Sequence, residues 1–161
     1  MDLVLGIDPG IARCGYGIVY REHNAFVCVE YGCIETPAKT EDGDRLKMLH
    51  DELGRLIKKH KPVRAGVEKL YFSKNVTTGL QVSQARGVIL LALAEAGIDL
   101  VELTPNEVKQ AVSGFGAADK KQMQKMVQMT LKLKEIPKPD DAADALAVAI
   151  TAACWREELK K

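Results

Sequence analysis

The sequence predicts an α/β protein: a mixed sheet of five strands flanked by helices. Three observations carry this. A short apolar run, Val4-Leu5-Gly6-Ile7, climbs into Asp8 and is stopped by Pro9-Gly10. Two loosely alternating stretches follow it directly. Two more short apolar runs lie downstream, each preceded by a stretch of helical periodicity. Strand, meander, helix, strand is an order that needs at least one parallel crossover.

The first strand ends at Asp8, because Pro9 cannot donate to a sheet ladder and Gly10 permits a sharp turn. A carboxylate at the end of a central strand is costly unless it meets a proton, a cation or a metal. Two readings stand at this point. Asp-Pro-Gly is a turn with its carboxylate in water, or Asp8 is an acid that needs a partner.

Gly15 to Tyr20 and Ala25 to Glu35 carry Val, Ile, Tyr, Phe and Cys, and the polar Arg21-Glu22-His23-Asn24 separates them. They read as an antiparallel meander continuing from the first strand. Thr36-Pro37 closes it, and Lys39 to Gly43 is a polar loop. Asp44 to His60 is a helix, with Leu46, Leu49, Leu53, Leu56 and Ile57 forming one apolar stripe. Lys61-Pro62 stops it. Val63 to Glu68 is then a short strand that again ends in an acid. If that strand lies parallel to the first and beside it, Asp8 and Glu68 share one edge. Ligands of such sheets collect at the carboxyl ends of strands.

Lys69 to Thr78 is a mostly polar connection containing Tyr71, Phe72 and Lys74. Gly79 to Gly97 is a helix that is apolar nearly all round, so it should be buried on more than one side. The second cover is a partner subunit or the rest of this chain. Ile98 to Leu103 is a parallel-type strand. Thr104 caps a helix from Pro105 to Val112. After the Gly-containing loop Ser113 to Ala118, Asp119 caps a helix reaching about Lys134. From Thr104 to Lys138 there are seven lysines against three acids, a net +4. Lysines on a helix are ordinarily a solvated face. Beside a Gly loop and an acid-bearing edge, they also suit a phosphate backbone.

Ile136-Pro137-Lys138-Pro139 breaks that helix. Asp140 to Trp155 is an Ala-rich helix headed by acids. Asp141 and Asp144 are three apart, so their carboxylates share a face. Acids also suit helix N-termini, and Asp140 is a candidate N-cap. Three acids at the head of an otherwise buried helix repel unless something cationic lies between them.

A chain of 161 residues with 47% hydrophobic and 28% charged content reads as one globular domain over 1–161, with 156–161 a frayed polar tail. The net charge of +1 means that any nucleic-acid signal must be local. The opening residues lack a basic n-region, and the longest apolar run, Gly87 to Ala94, is too short to span a bilayer. Neither an export signal nor a membrane is expected. Cys14, Cys28, Cys33 and Cys154 form no Cys-x-x-Cys pair and read as reduced, mostly buried thiols of a cytoplasmic protein.

The acids to explain are Asp8, Glu68, Asp141 and Asp144. All are hard oxygen ligands, and no His or Cys cluster has transition-metal spacing, so Mg²⁺ is the expected ion, with Mn²⁺ a substitute. Two such ions about 3.5–4 Å apart would clamp both the attacking and the leaving oxygen of a phosphoryl transfer.

Taken together, Gly6-Ile7-Asp8-Pro9-Gly10, Val67-Glu68, Lys74-Asn75 with Gln84-Ala85-Arg86-Gly87, Val108-Lys109-Gln110 and Asp141-Ala142-Ala143-Asp144-Ala145-Leu146-Ala147 resemble the RuvC family of Holliday-junction resolvases. Each motif is weak alone; the ordered set, from about residue 2 to 155, is specific. The resemblance implies a ribonuclease H-like fold and a bacterial homodimer. That dimer makes paired, symmetrical, Mg²⁺-dependent nicks in four-way junction DNA during recombination and repair. Branch-migration proteins of the RuvA and RuvB type are the implied partners. Position by position, the catalytic acids fall on Asp8, Glu68, Asp141 and Asp144. The junction-stacking aromatic falls on Tyr71, with Phe72 beside it. The DNA-contacting lysines fall on Lys109 and Lys120, with Lys121 adjacent.

Three competing readings are weighed against this one. The first is a nuclease of the same fold acting on another nucleic acid, such as an RNA-processing enzyme. The second is an actin-like or sugar-kinase-like ATPase, which needs two lobes where this chain has length for one. The third is a silent DNA-binding or scaffold protein, which the presence of all four acids opposes.

Overall fold

The computed structural model describes residues 1–70 and 76–155. The chain runs β1 (Val4–Asp8), β2 (Arg13–Glu22), β3 (Ala25–Glu35), α1 (Asp42–His60), β4 (Arg64–Glu68), α2 (Val76–Glu95), β5 (Asp99–Leu103), α3 (Pro105–Ser113), α4 (Lys120–Thr130) and α5 (Asp140–Cys154). The strands form one sheet in the order β3-β2-β1-β4-β5. The meander β1-β2-β3 is antiparallel, and β1, β4 and β5 are parallel. This is the mixed, ribonuclease H-like sheet that the resemblance implies.

The pleat sorts each strand between two cores, because alternate side chains point to opposite faces. Leu5, Ile7, Ile18, Ala65 and Val67 join Leu49, Leu53 and Ile57 of α1 and Ile89 and Leu93 of α2. Val4, Val19, Val101 and Leu103 join Val108 and Val112 of α3, Val127 of α4 and the aliphatic residues of α5. Helices α1 and α2 thus cover one face, and α3, α4 and α5 the other. Asp8 and Glu68 have the parity of Gly6 and Gly66, which face α5. Both acids therefore emerge on the α5 side.

Helix α5 lies directly on the strand backbones. A Cβ on Gly6 would overlap the backbone of Ala145 and Ala149, and one on Gly66 would come within 2.8 Å of the Ala152 methyl. Small residues on both surfaces permit this approach, the usual meaning of glycine inside a strand. With α3 and α4 covering its far side, α5 is buried from Ala145 to Ala152 on all faces. Its C-terminal end is tied down by Arg64, which donates to the Trp155 carbonyl at 2.9 Å and to Asp99 at 2.7 Å. A guanidinium suits the unpaired carbonyls at a helix C-terminus.

Several boundaries differ from the sequence expectation. Helix α1 starts at Asp42, not Asp44, and α2 at Val76, not Gly79. Helix α4 stops at Thr130 instead of reaching Lys134. There Lys132 takes a left-handed φ of 52°, and the Gln128 side chain donates to the carbonyls of Leu133 and Lys134. The N-cap of α5 is Pro139, so Asp140 lies within the first turn instead of capping it.

Burial corrects two further expectations. Helix α2 buries Ala85, Ile89, Ala92 and Leu93 but leaves Leu80 and Leu91 about half exposed, so the rest of the described chain does not supply a second cover. Of the cysteines, all free thiols, only Cys14 is buried; Cys28 and Cys33 are half-buried and Cys154 is exposed. Among the described residues no helix is long and apolar enough to cross a membrane.

Candidate active site

Asp8 and Glu68 are the last residues of two adjacent parallel strands, whose pairing runs up to Ile7 opposite Val67. On the other side of β1, Asp8 pairs with Gly15. The Asp141 carbonyl of α5 occupies the space that a Gly15 side chain would need. That contact sets the head of α5 over the end of β1. Asp144, one turn further along α5, lines a cavity of about 310 Å³ with Glu68, Lys109, Lys120 and Met123.

The charges feel one another. Burial pushes the Asp8 carboxyl up to about 8, and repulsion from Asp144, Asp141 and Glu68 adds to it. Glu68 is raised by burial and by Asp144, with Lys109 opposing. Asp144 is raised by burial, with Lys120 opposing and Asp141 and Asp140 adding to the rise. Carboxyls raised together by burial and mutual repulsion beside a cleft make this a candidate functional site.

Lys120 answers part of this charge. It opens α4, whose capping box joins Asp119 and Gln122. Its ammonium lies 3.0 Å from Asp140 Oδ2 and 4.0 Å from Asp144 Oδ2. Its own pKa is raised, first by the hydrogen bond to Asp140. Lys121 is exposed beside it, and Lys109 lies on α3, which Thr104 opens with a capping box to Glu107. Tyr71, Phe72 and Lys74 lie outside the described residues.

The turn behind Asp8 is fastened from below. The buried Thr36 hydroxyl donates to the Ile11 carbonyl, and the Thr36 amide donates to the Ala12 carbonyl at 3.1 Å. Arg45, 7% exposed, donates to the Thr36 hydroxyl at 3.0 Å. Sequence reasoning missed this network. Its signal was Arg45 itself, four residues before Leu49 and eight before Leu53, a charge standing on the apolar stripe of α1. The glycines beneath α5 were also missed; glycines recurring in strands opposite an Ala-rich helix were their signal.

The donor set suits a hard divalent cation: carboxylate oxygens from two strand ends and one helix head, whose repulsion Lys109 and Lys120 offset only in part. Among the described residues no three His, Cys, Asp or Glu side chains are drawn close enough to grip an ion as they stand. The Lys120 ammonium supplies positive charge at the rim, 4.0 Å from Asp144.

Comparisons with known proteins bear on the family of the chain and on its fold. The family described as crossover junction endodeoxyribonuclease RuvC matches residues 4–152. The RuvC protein of Treponema denticola is 52% identical over 148 residues, covering 92% of this chain and 83% of its own length. That of Heliobacterium modesticaldum is 52% identical over 151 residues, covering 94% of this chain and 93% of its own. Among solved structures, T. thermophilus RuvC in complex with a Holliday junction substrate superposes with a TM-score of 0.89 at 32% identity, over 94% of this chain and 92% of that one. The chain belongs to the RuvC family of crossover junction endodeoxyribonucleases.

Proposed function

We infer that this protein resolves four-way DNA junctions by hydrolysing one phosphodiester in each of two strands of like polarity, with Asp8, Glu68, Asp141 and Asp144 holding two Mg²⁺ ions. One observation carries the reading. Glu68 at a strand end and Asp144 at a helix head line one cavity with Lys109 and Lys120, and at the adjacent strand end burial, with repulsion from Asp144, Asp141 and Glu68, raises Asp8 to about 8. Family membership supports the junction as substrate, as does the likeness to a RuvC bound to one.

The chain's own residues have separable tasks in this reading. Asp8 and Glu68, at the ends of paired strands, form a rigid floor. Asp141 and Asp144 close over it from α5. Ions held between them would lower the pKa of an attacking water and stabilise the departing 3′ oxygen. Lys109, Lys120 and Lys121 line the approach and hold phosphates of the strand to be cut. Tyr71 and Phe72 supply a face for an unpaired base at the junction centre, with Lys74 on the adjoining backbone.

The exposed Leu80 and Leu91 of α2 leave apolar surface for a second copy. A homodimer covering it presents two sites to two strands, as symmetrical nicking requires. Branch-migration proteins of the RuvA and RuvB type, in a bacterial cytoplasm, complete the reading. The whole of 1–161 then acts as one nuclease domain.

The test is cleavage of a synthetic mobile four-way junction in Mg²⁺, with a linear duplex of equal length and the variants Asp8→Asn, Glu68→Gln, Asp141→Asn and Asp144→Asn. Paired nicks in the junction alone, abolished in each variant while junction binding persists, are the expected result. Equal cleavage of the duplex would overturn junction selectivity. Nicking retained by one variant would remove that acid from the site.

A further inference from the structure

Glu68 ends β4, and its pairing to β1 has stopped one residue earlier. Its backbone carbonyl takes a hydrogen bond from a side chain on the opposite face of the sheet. Arg86 of α2 donates from Nε to this carbonyl at 3.3 Å. The same guanidinium donates from Nη2 to Glu102 of β5, which holds the fork in place. Arg86 is only 17% exposed in its side chain.

The pleat separates Arg86 from the reacting groups. Val101 and Leu103 of β5 face α5, so Glu102 faces α2, while the Glu68 side chain emerges toward α5. Arg86 therefore reaches the backbone of Glu68 from behind and does not share the cleft with its carboxylate. A planar fork holds a carbonyl and a carboxylate in fixed directions, which the freely rotating donors of an ammonium do not impose. The Lys69 N–H donates to the Leu103 carbonyl at 2.7 Å and holds the other edge of the peptide after Glu68. With Arg86 on its carbonyl edge, the plane is held from both sides, and with it the direction in which the Glu68 side chain leaves the strand.

We propose that Arg86, braced by Glu102, is a positioning residue that aims the Glu68 carboxylate into the metal site. The proposal rests on the reading of Glu68 as a metal ligand. Such supporting bonds behind a ligand are worth about 10–100-fold in metal affinity. Arg86 acts on the ligand's direction, so the effect falls on ion binding and leaves the grip on DNA intact.

The experiment measures Mn²⁺ binding to the DNA-free protein by loss of the free-ion electron paramagnetic resonance signal. Junction binding in EDTA and the thermal midpoint are measured alongside. Arg86→Gln is expected to lose about tenfold or more in Mn²⁺ affinity while binding the junction as the parent does. Arg86→Lys keeps a cation for Glu102 but lacks the fork, and is expected to show the same loss in a fully folded protein. Glu102→Gln weakens the brace and should fall between the parent and Arg86→Lys. Parental Mn²⁺ affinity in Arg86→Lys would overturn the proposal, even if Arg86→Gln unfolds. Glu68→Gln is the control. If it loses Mn²⁺ binding while the Arg86 variants keep it, the role of Arg86 alone is wrong. If it binds Mn²⁺ normally, the placement of Glu68 in the metal site falls, and the role of Arg86 with it.

Discussion

The carbonyl oxygen of Asp141 rests on Gly15, in the space a side chain there would fill. Gly15 is also the strand partner of Asp8. One glycine therefore sets the spacing between a strand acid and a helix acid that no sequence separation could specify. Gly15→Ala should push the head of α5 outward. Overpacking of this kind costs about 1–3 kcal/mol in stability, and a 1 Å misplacement of catalytic groups costs on the order of 100-fold in rate. The expected variant is folded, lowered in melting temperature and nearly inactive on junctions. Gly54→Ala in α1, where an added Cβ meets nothing within 4 Å, is the control. It should gain about 0.5–1 kcal/mol and cleave normally. Parental activity in Gly15→Ala would break the link between this contact and the site.

The raised carboxyls give the ion-free protein a definite pH dependence. The folded-state value for Asp8 is about 8 against an ordinary 3.8. A carboxyl shifted upward favours folding only while protonated. Its contribution is full below the ordinary value and is lost as the pH rises through about 8. Glu68 and Asp144 are raised too and act in the same direction. In EDTA the melting temperature should fall from about pH 5 to about pH 9. Asp8→Asn should flatten that fall, and Mg²⁺ should offset it in the parent by binding the ionised form. A melting temperature in EDTA that rises over this range would contradict the placement of Asp8.

Lys120 stands between two roles. Its ammonium pairs with Asp140 and Asp144, and a cation bound among the acids would release it toward phosphate. Lys120→Ala should weaken junction binding and reduce the slope of log affinity against log salt by about 1. The loss should be larger in Ca²⁺ than in EDTA, because the lysine is engaged with the acids when no ion is present. Competition binding at several salt concentrations reads both effects. An unchanged slope would make Lys120 an ordinary surface residue.

Much of this architecture is legible without coordinates. Asp8 and Glu68 each close a short apolar run. Asp141 and Asp144 stand one turn apart at the head of a helix. Thr104 and Asp119 announce two helix starts, and the structure closes a capping box at each, with Glu107 and Gln122. These features are local: propensity, periodicity and cap chemistry act over a few residues, so they are written in consecutive letters. Features were harder to read where individual side-chain contacts or packing decided them. Helix α4 stops early because the Gln128 side chain captures carbonyls beyond its end. Leu80 and Leu91 stay exposed on α2 because α1 and the sheet cover only its other side.

The sequence by itself determined the order of elements, the mixed sheet and the acids at the ends of its strands and last helix, since each follows from hydrophobic period and turn chemistry. The tertiary structure alone decided how those acids are placed relative to one another. Gly15 admits the Asp141 backbone, Thr36 and Arg45 fasten the turn behind Asp8, and Arg86 holds the Glu68 carbonyl. Each is a contact between residues far apart in the chain. Long-range contacts depend on packing and distance, which no local pattern of residues records.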